Sequence, residues 1–324
     1  MPHGLPTVTL ASDADLEINA VLSTCSAPPK GEVDCVAEIL VNGIPAIANA
    51  WAPTLASVGC SLTLHSVFCH GSPMVDHPPG NTSNRCELAD LLVVMDFVTI
   101  SGTVRTANLI QAKMDKSGHV AISSGTPMRQ LKLYQGWPTF EFTSKAYDSR
   151  TRDYRTGIAS PSNTEDAGRY GAIVLTVGSE VWRQIDPTSP TPFTTSKGMT
   201  FGDFLAGLAD AQIHYGAEAG HCVGPPPMTF DDWSFTVGEL LDITYRRTHR
   251  ALVRAGGSGT RGVTLPLTVP ILRARLGNAA YSVSVIGPGG EGPPIGEGGR
   301  PQSPAGISVI HGIIEQVPGP DRRL

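Results

Sequence analysis

The stretch ELADLLVVMDF, residues 87–97, is followed at residues 110–114 by IQAKM. Leu91 to Met95 are apolar without interruption, the pattern of a strand buried on both faces. CELADLLVVMDFV (86–98), a turn at SGT and VRTANLIQAKMD (104–115) together predict an antiparallel hairpin. Side chains two apart on a strand share a face, so Gln111 and Lys113 project together while Ala112 points the other way. The hairpin carries Asp90 to the same end of the sheet. Polar groups on such strands are costly unless they meet partners or a metal ion. A carboxylate from Asp90 and an amide oxygen from Gln111 suit a hard cation such as Mg²⁺. Lys113 beside them suits a group that orients a metal-bound water and stabilises transition-state charge.

Outward from the hairpin, DLEINAVLSTC (15–25) and EVDCVAEILVNGI (32–44) carry apolar residues at helical spacing, separated by the breaker SAPPKG. SLTLHSVFCH (61–70) reads as a strand and GSPMVDHPPGNTSN (71–84) as a turn-rich loop. TPMRQLKLYQGW (126–137) predicts a helix with Thr126 as N-cap and Pro127 at its first position. TFEFT (139–143) and YGAIVLTV (170–177) read as strands, and 200–213 and 230–255 as helices. The order helix–strand–strand–strand–helix–strand is an α/β layout with a central mixed sheet flanked by helices. The expected organisation is an N-terminal arm and helix (1–29), a main domain with helical additions (30–255) and a Gly/Pro-rich C-terminal segment (256–324). Within that last segment 287–304 reads as a linker, and GISVIHGIIEQV is apolar enough to dock back on the body.

ELAD and QAK, with twenty residues between Asp90 and Gln111, resemble the metal-binding core of the PD-(D/E)xK nuclease superfamily. That resemblance implies a restriction-endonuclease-like α/β core with C-terminal elaborations. The usual acid of the second motif is replaced by Gln111, which supplies oxygen but no charge. Glu87 is a candidate to restore that charge, given a bulge or strand start that lets it share the face of Asp90. In MRQLKLYQ, Gln130 and Tyr134 are four apart on one helical face and resemble the QxxxY motif of RecB-type members, where it lines the DNA-binding cleft. Glu38, on the helix before the first strand, sits where some members carry a further acid, although it reads first as an exposed helix residue.

The resemblance implies a Mg²⁺-dependent nuclease, with Mn²⁺ able to substitute, that hydrolyses DNA phosphodiester bonds, in a setting such as defence against foreign DNA. Asp90, Gln111 and Glu87 would hold the metal, Lys113 would handle the attacking water, and Gln130 and Tyr134 would support substrate and site. Gln111 keeps open a rival, a catalytically inactive nucleic-acid-binding or assembly subunit; an RNA-directed nuclease is a third reading. Cutting both strands together needs two sites, so a homodimer or larger assembly is expected, and an activating ligand or partner is left open.

The formal charge is −5, with 24 Lys and Arg against 29 Asp and Glu and no basic arm. This argues against a sequence-independent DNA coater but leaves room for a local basic cleft. Arg150, Arg152 and Arg155 lie in a polar loop, and Arg247, Arg250 and Arg254 on one helical face. Both sets read as solvated before they read as phosphate contacts, with Arg247 and Arg250 the substrate-binding candidates. Cys69, His70, His77 and Cys86 match no zinc-module spacing. The six cysteines show no CxxC pair and, with no signal peptide and no apolar run of membrane-span length, point to reduced thiols in the cytoplasm.

Overall fold

The computed structural model describes residues 4–26, 31–69, 73–115, 119–120, 122, 124–155, 164–176, 181–187, 189, 193–194, 198–211, 215–222, 224–255, 274–276, 279–286 and 306–317. The backbone alone is described at 115, 164–165, 194, 246–255, 274–276 and 279–286. The linker reading at 287–304 and His70 lie outside the described residues.

The helices are α1 (Thr7–Cys25), α2 (Glu32–Glu38), α3 (Ile44–Ser57), α4 (Gly125–Gly136), α5 (Phe201–Ala209) and α6 (Asp232–Ala255). The strands are β1 (Cys60–Val67), β2 (Met74–Asp76), β3 (Cys86–Glu87), β4 (Leu91–Thr99), β5 (Gly102–Asp115), β6 (His119–Val120), β7 (Glu141–Phe142), β8 (Gly168–Val174), β9 (Val181–Ile185), β10 (Phe193–Thr194), β11 (Met199–Thr200), β12 (Ala217–Ala219), β13 (Ala274–Leu276), β14 (Ala279–Ile286) and β15 (Ser308–Gln316). Among the described residues ten strands form one mixed sheet in the order β11-β9-β8-β5-β4-β15-β1-β14-β13, with β12 pairing β5 as well. The hairpin expected from 86–115 is the antiparallel pair β4–β5, in register from Leu91–Ile110 to Thr99–Gly102. β15 runs parallel to β4 and β8 runs parallel to β5, so the hairpin is covered along both edges.

Helices cover both faces. On one side Leu91, Val93, Met95, Ile110 and Ala112 pack with residues of α1, α2, α3 and α5. On the other, Leu92, Val94, Ala107 and Leu109 pack with Leu133 and Tyr134 of α4 and Trp233, Val237 and Leu240 of α6. Because both faces are buried, alternation disappears from β4, and Leu91 through Phe97 are all inaccessible.

Residues 32–57 form one helix interrupted by a π-turn at Ile39–Gly43. The Ile44 N–H bonds Ile39 O, five residues back, and Pro45 has no N–H to give to Leu40 O. The buried Ser66 hydroxyl, on β1, fills that vacancy by donating to Leu40 O at 2.6 Å. This helix corrects the expectation that no apolar segment reaches the length of a membrane span: 26 residues here do so by length and composition. Its apolar face is taken up inside the protein, where Ile44, Ile47, Trp51 and Leu55 are all buried.

Helix α4 begins at Gly125 with Ser124 as N-cap, two residues before the expected start. Pro127 therefore occupies the third helical position, where the missing N–H is still one of the unpaired first-turn donors. Trp137 ends the helix in the left-handed region at φ 38°, its N–H bonding Leu133 O.

Docking on the body understates the role of the C-terminal apolar stretch, since β15 is a central strand between β1 and β4. A chain ending before Ser308 would expose the inner edges of β1 and β4 and should lose cooperative folding. The milder Ile310→Ala, at a fully buried position, should cost about 2–5 kcal/mol in urea denaturation.

Candidate active site

Asp90 stands at the break between two sheets. β3 pairs with β2 in a small side sheet, Leu88 N–H bonds Pro73 O at 2.8 Å, and Asp90 N–H bonds Ile110 O at 2.9 Å to enter the main sheet. The break turns the Asp90 carboxylate toward β5. Its Oδ2 accepts from the Ala112 N–H at 2.8 Å and from Gln111 Nε2. Gln111 Oε1 in turn accepts from Gln130 Nε2 at 2.8 Å. The result is a chain of two amides running from α4 to the carboxylate. Tyr134, one turn after Gln130, donates its hydroxyl to Leu88 O at 2.8 Å and so holds the segment that precedes Asp90. Gln130 and Tyr134 are both buried. As placed they brace the site from beneath, and neither lines the cleft at Asp90.

The acid that reaches the site from the preceding helix is Glu32, not Glu38. Glu32 opens α2, and its Oε2 accepts from the Met114 N–H at 3.1 Å while Oε1 lies 3.8 Å from Lys113 Nζ. Glu38 accepts from Asn42 Nδ2 at 2.6 Å in an exposed pair one turn apart. Glu32 is one of several acids on that helix, and only the tertiary placement of its first turn over the end of β5 singles it out. Glu87 lies close enough to repel both Asp90 and Glu32.

Two carboxylates, Asp90 and Glu32, therefore share one ammonium, with a third acid, Glu87, close to both. Asp90 sits in a small cleft of about 30 Å³ whose lining includes Glu32, Val36, Phe68, Cys69 and Ser308. Partly open to that cleft but otherwise surrounded by protein, its carboxyl is pushed up to about 7. Burial is the main cause; Lys113 opposes it, and Glu32 and Glu87 add to it. Burial also raises Glu32, with Lys113 and the Met114 N–H pulling the other way.

The remaining candidates are structural or lie beyond description. Arg152 is fully buried with Nη2 2.6 Å from Glu239 Oε2, and the Arg150 guanidinium covers the Phe235 ring at 3.6 Å. Arg155 pairs with Asp153 at 3.2 Å. Arg247 and Arg250 fall on α6, but their side chains lie outside the described residues. The Cys86 thiol is buried and raised to about 12 by that burial. Among the described residues no three His, Cys, Asp or Glu side chains converge to hold a metal ion on their own.

Comparison with known protein families, curated proteins and solved structures finds no match to this chain.

The raised Asp90 carboxyl has a stability consequence. Asp90 keeps its proton to about pH 7 when folded but only to about pH 4 when unfolded, so its contribution is full below pH 4 and lost as pH rises through 7. Asp90→Asn can still accept from Ala112 and Gln111 and removes the charge. The variant should be more stable than the parent at pH 8, by up to about 4 kcal/mol, with the gap closing toward pH 4. Urea midpoints measured across that range give the result directly.

Proposed function

We infer that the protein is a divalent-cation-dependent nuclease that hydrolyses DNA phosphodiester bonds, with Asp90 at the centre of its site. The observation that carries this reading is the meeting of Asp90 and Glu32 with Lys113 where β4 begins and β5 ends, with Glu87 close to both acids. Burial, reinforced by the two neighbouring acids, holds a partly open carboxyl near neutrality, which suits a site that awaits positive charge. Further support comes from the order α3–β1–β4–β5–α4–β8 with its motif residues just before β4, on β5 and on α4, the layout the PD-(D/E)xK resemblance calls for.

The residues fit Mg²⁺, which takes oxygen ligands, often only one or two carboxylates, and keeps several waters. Asp90 with Glu32 or Glu87 satisfies that demand. Gln111 offers a third oxygen only with its amide turned over, because its Nε2 faces Asp90 and its Oε1 faces Gln130. Turned over, Gln111 would present Oε1 beside Asp90 and Nε2 to Gln130, whose amide would turn in step to accept. Two coupled amides can exchange donor and acceptor ends in this way. A cation at Asp90 favours one orientation and a bare carboxylate the other.

A bound cation supplies Lewis acidity toward a phosphate and lowers the pKa of a coordinated water. Lys113, kept in place by Glu32, presents an ammonium on the face of β5 shared with Gln111, where it stabilises negative charge developing on phosphate oxygens. Glu32 fixes Lys113 and the end of β5 together through its two oxygens. The observed donor contact of Gln111 to Asp90 favours a second reading, a non-catalytic member in which a neutral amide takes the place of a metal and the site serves to brace the sheet.

Lys113→Met separates the two readings. It keeps the apolar stem and loses the charge. On the nuclease reading it should fold and bind DNA normally while Mg²⁺-dependent plasmid cleavage falls about 10²–10³-fold. On the bracing reading the parent itself cleaves nothing, and the variant loses stability alone. Gln130→Glu, which can only accept from Gln111, should tighten Mn²⁺ binding in calorimetric titration; equal affinity in parent and variant would remove Gln111 from the ligand set.

A further inference from the structure

Six residues beyond Asp90 on β4, about 20 Å along the strand at roughly 3.3 Å per residue, a second polar cluster occupies the same face of the sheet. Asp96 and Arg105 face each other across the β4–β5 ladder. They form a forked ion pair, Nε to Oδ1 at 2.6 Å and Nη2 to Oδ2 at 2.7 Å. His311, on β15, places Nε2 2.9 Å from Asp96 Oδ2, and its Nδ1 lies 2.8 Å from the Tyr245 hydroxyl on α6. His221 Nε2 approaches the same oxygen at 3.7 Å. Burial works against the Asp96 carboxylate, yet hydrogen bonds from Arg105 and His311 hold it well below the usual range. Asp96 and Arg105 are 2% and 3% exposed.

A buried ion pair of this kind is weak support for stability, because desolvation offsets most of its attraction. This one opens onto space. A cavity of about 340 Å³ lies between the sheet, α6 and the segment around His221, within the size range of small-molecule sites. A guanidinium carries five N–H groups. Nε and Nη2 of Arg105 are engaged by Asp96, while Nη1 makes no hydrogen bond among the described residues and Arg105 lines the cavity. His221 stands at the mouth, its ring one-third exposed and held neutral by burial and by the charge of Arg105. Leu241 and Ile313 supply apolar wall, and a side chain at Gly224 would meet nothing within 4 Å.

The free wall groups are thus donors beside an apolar surface. The acceptors of Asp96 are already used, so the cavity has no open carboxylate there for a cation. A bare anion is also disfavoured, because two carboxylates, Asp96 and Asp242, line the cavity with the single guanidinium of Arg105. We propose that this cavity binds a small organic molecule without net charge, which presents oxygen acceptors to Arg105 and His221 and an apolar body to Leu241 and Ile313. Nucleosides and zwitterionic amino acids are two sources of that chemistry. The site is independent of the reading given to Asp90.

The test titrates the full chain with guanosine, L-leucine and inorganic phosphate, read by calorimetry and thermal shift. Guanosine or leucine should bind and raise the melting temperature, and which of the two does so names the source; phosphate should not. His221→Ala, at the rim where folding is safe, should weaken binding about tenfold or more. Leu241→Trp, which fills the cavity, should abolish it, and Asp90→Asn should leave it unchanged. The proposal falls if neither organic probe binds at millimolar concentration, or if phosphate alone binds. It falls equally if affinity is indifferent to His221→Ala and Leu241→Trp, or is lost in Asp90→Asn.

Discussion

Nine residue pairs lock β4 to β5, from Leu91–Ile110 to Thr99–Gly102, and β15 and β8 then close the two outer edges of that ladder. Its register assigns every side chain a face. Leu92, Val94 and Asp96 of β4 and Arg105, Ala107, Leu109 and Gln111 of β5 share the α4/α6 side. A slip of one residue would send the whole set of the slipped strand to the side packed by α1, α3 and α5. The apolar members of both sets are fully buried, so the hydrophobic penalty for such a slip is large at every rung. The polar members are carried by that decision. Asp90, Gln111 and Lys113 come together at one end of the ladder, and Asp96 and Arg105 at the other, because the apolar rungs between them allow a single alignment.

The two ends resolve their charge differently. At Asp96 a guanidinium and an imidazole saturate the carboxylate, which is strongly stabilised in its ionised form. At Asp90 the donors are one backbone N–H and a neutral amide, two further acids stand nearby, and Lys113 is drawn toward Glu32. The same hairpin thus carries one carboxylate held ionised by a guanidinium and another that burial pushes toward neutrality. Sites that break the local rules of charge compensation while the rest of the fold obeys them are where function is to be sought.

The hairpin was legible because an uninterrupted apolar run followed by a short turn has few alternatives, and the helix carrying Gln130 and Tyr134 was legible from its proline and its spacing. Other features were hidden for physical reasons. Glu32 looked no different from Glu38, since only the packing of α2 against the end of β5 separates an acid that meets Lys113 from one that meets Asn42. A central strand at 308–316, beyond a long Gly/Pro-rich stretch, gave no local sign of where it would pair. Asp96 and His311 are 215 positions apart, so their contact is purely a product of topology. Arg152 read as a solvated loop residue and is instead a buried partner of Glu239, a pairing 87 positions apart in sequence.

The central claim is that the Asp90 cluster is completed by a divalent cation. Calorimetric titration of the parent protein with Mn²⁺, in two buffers of different ionisation enthalpy, tests it most directly. With its carboxyl near 7, Asp90 must give up a proton when the cation arrives, so binding at pH 6 should release nearly a full proton and binding at pH 8 almost none. Affinity should rise over the same interval, and both effects should vanish in Asp90→Asn. An absence of Mn²⁺ binding, or binding whose proton release and affinity are the same at both pH values, would contradict the account.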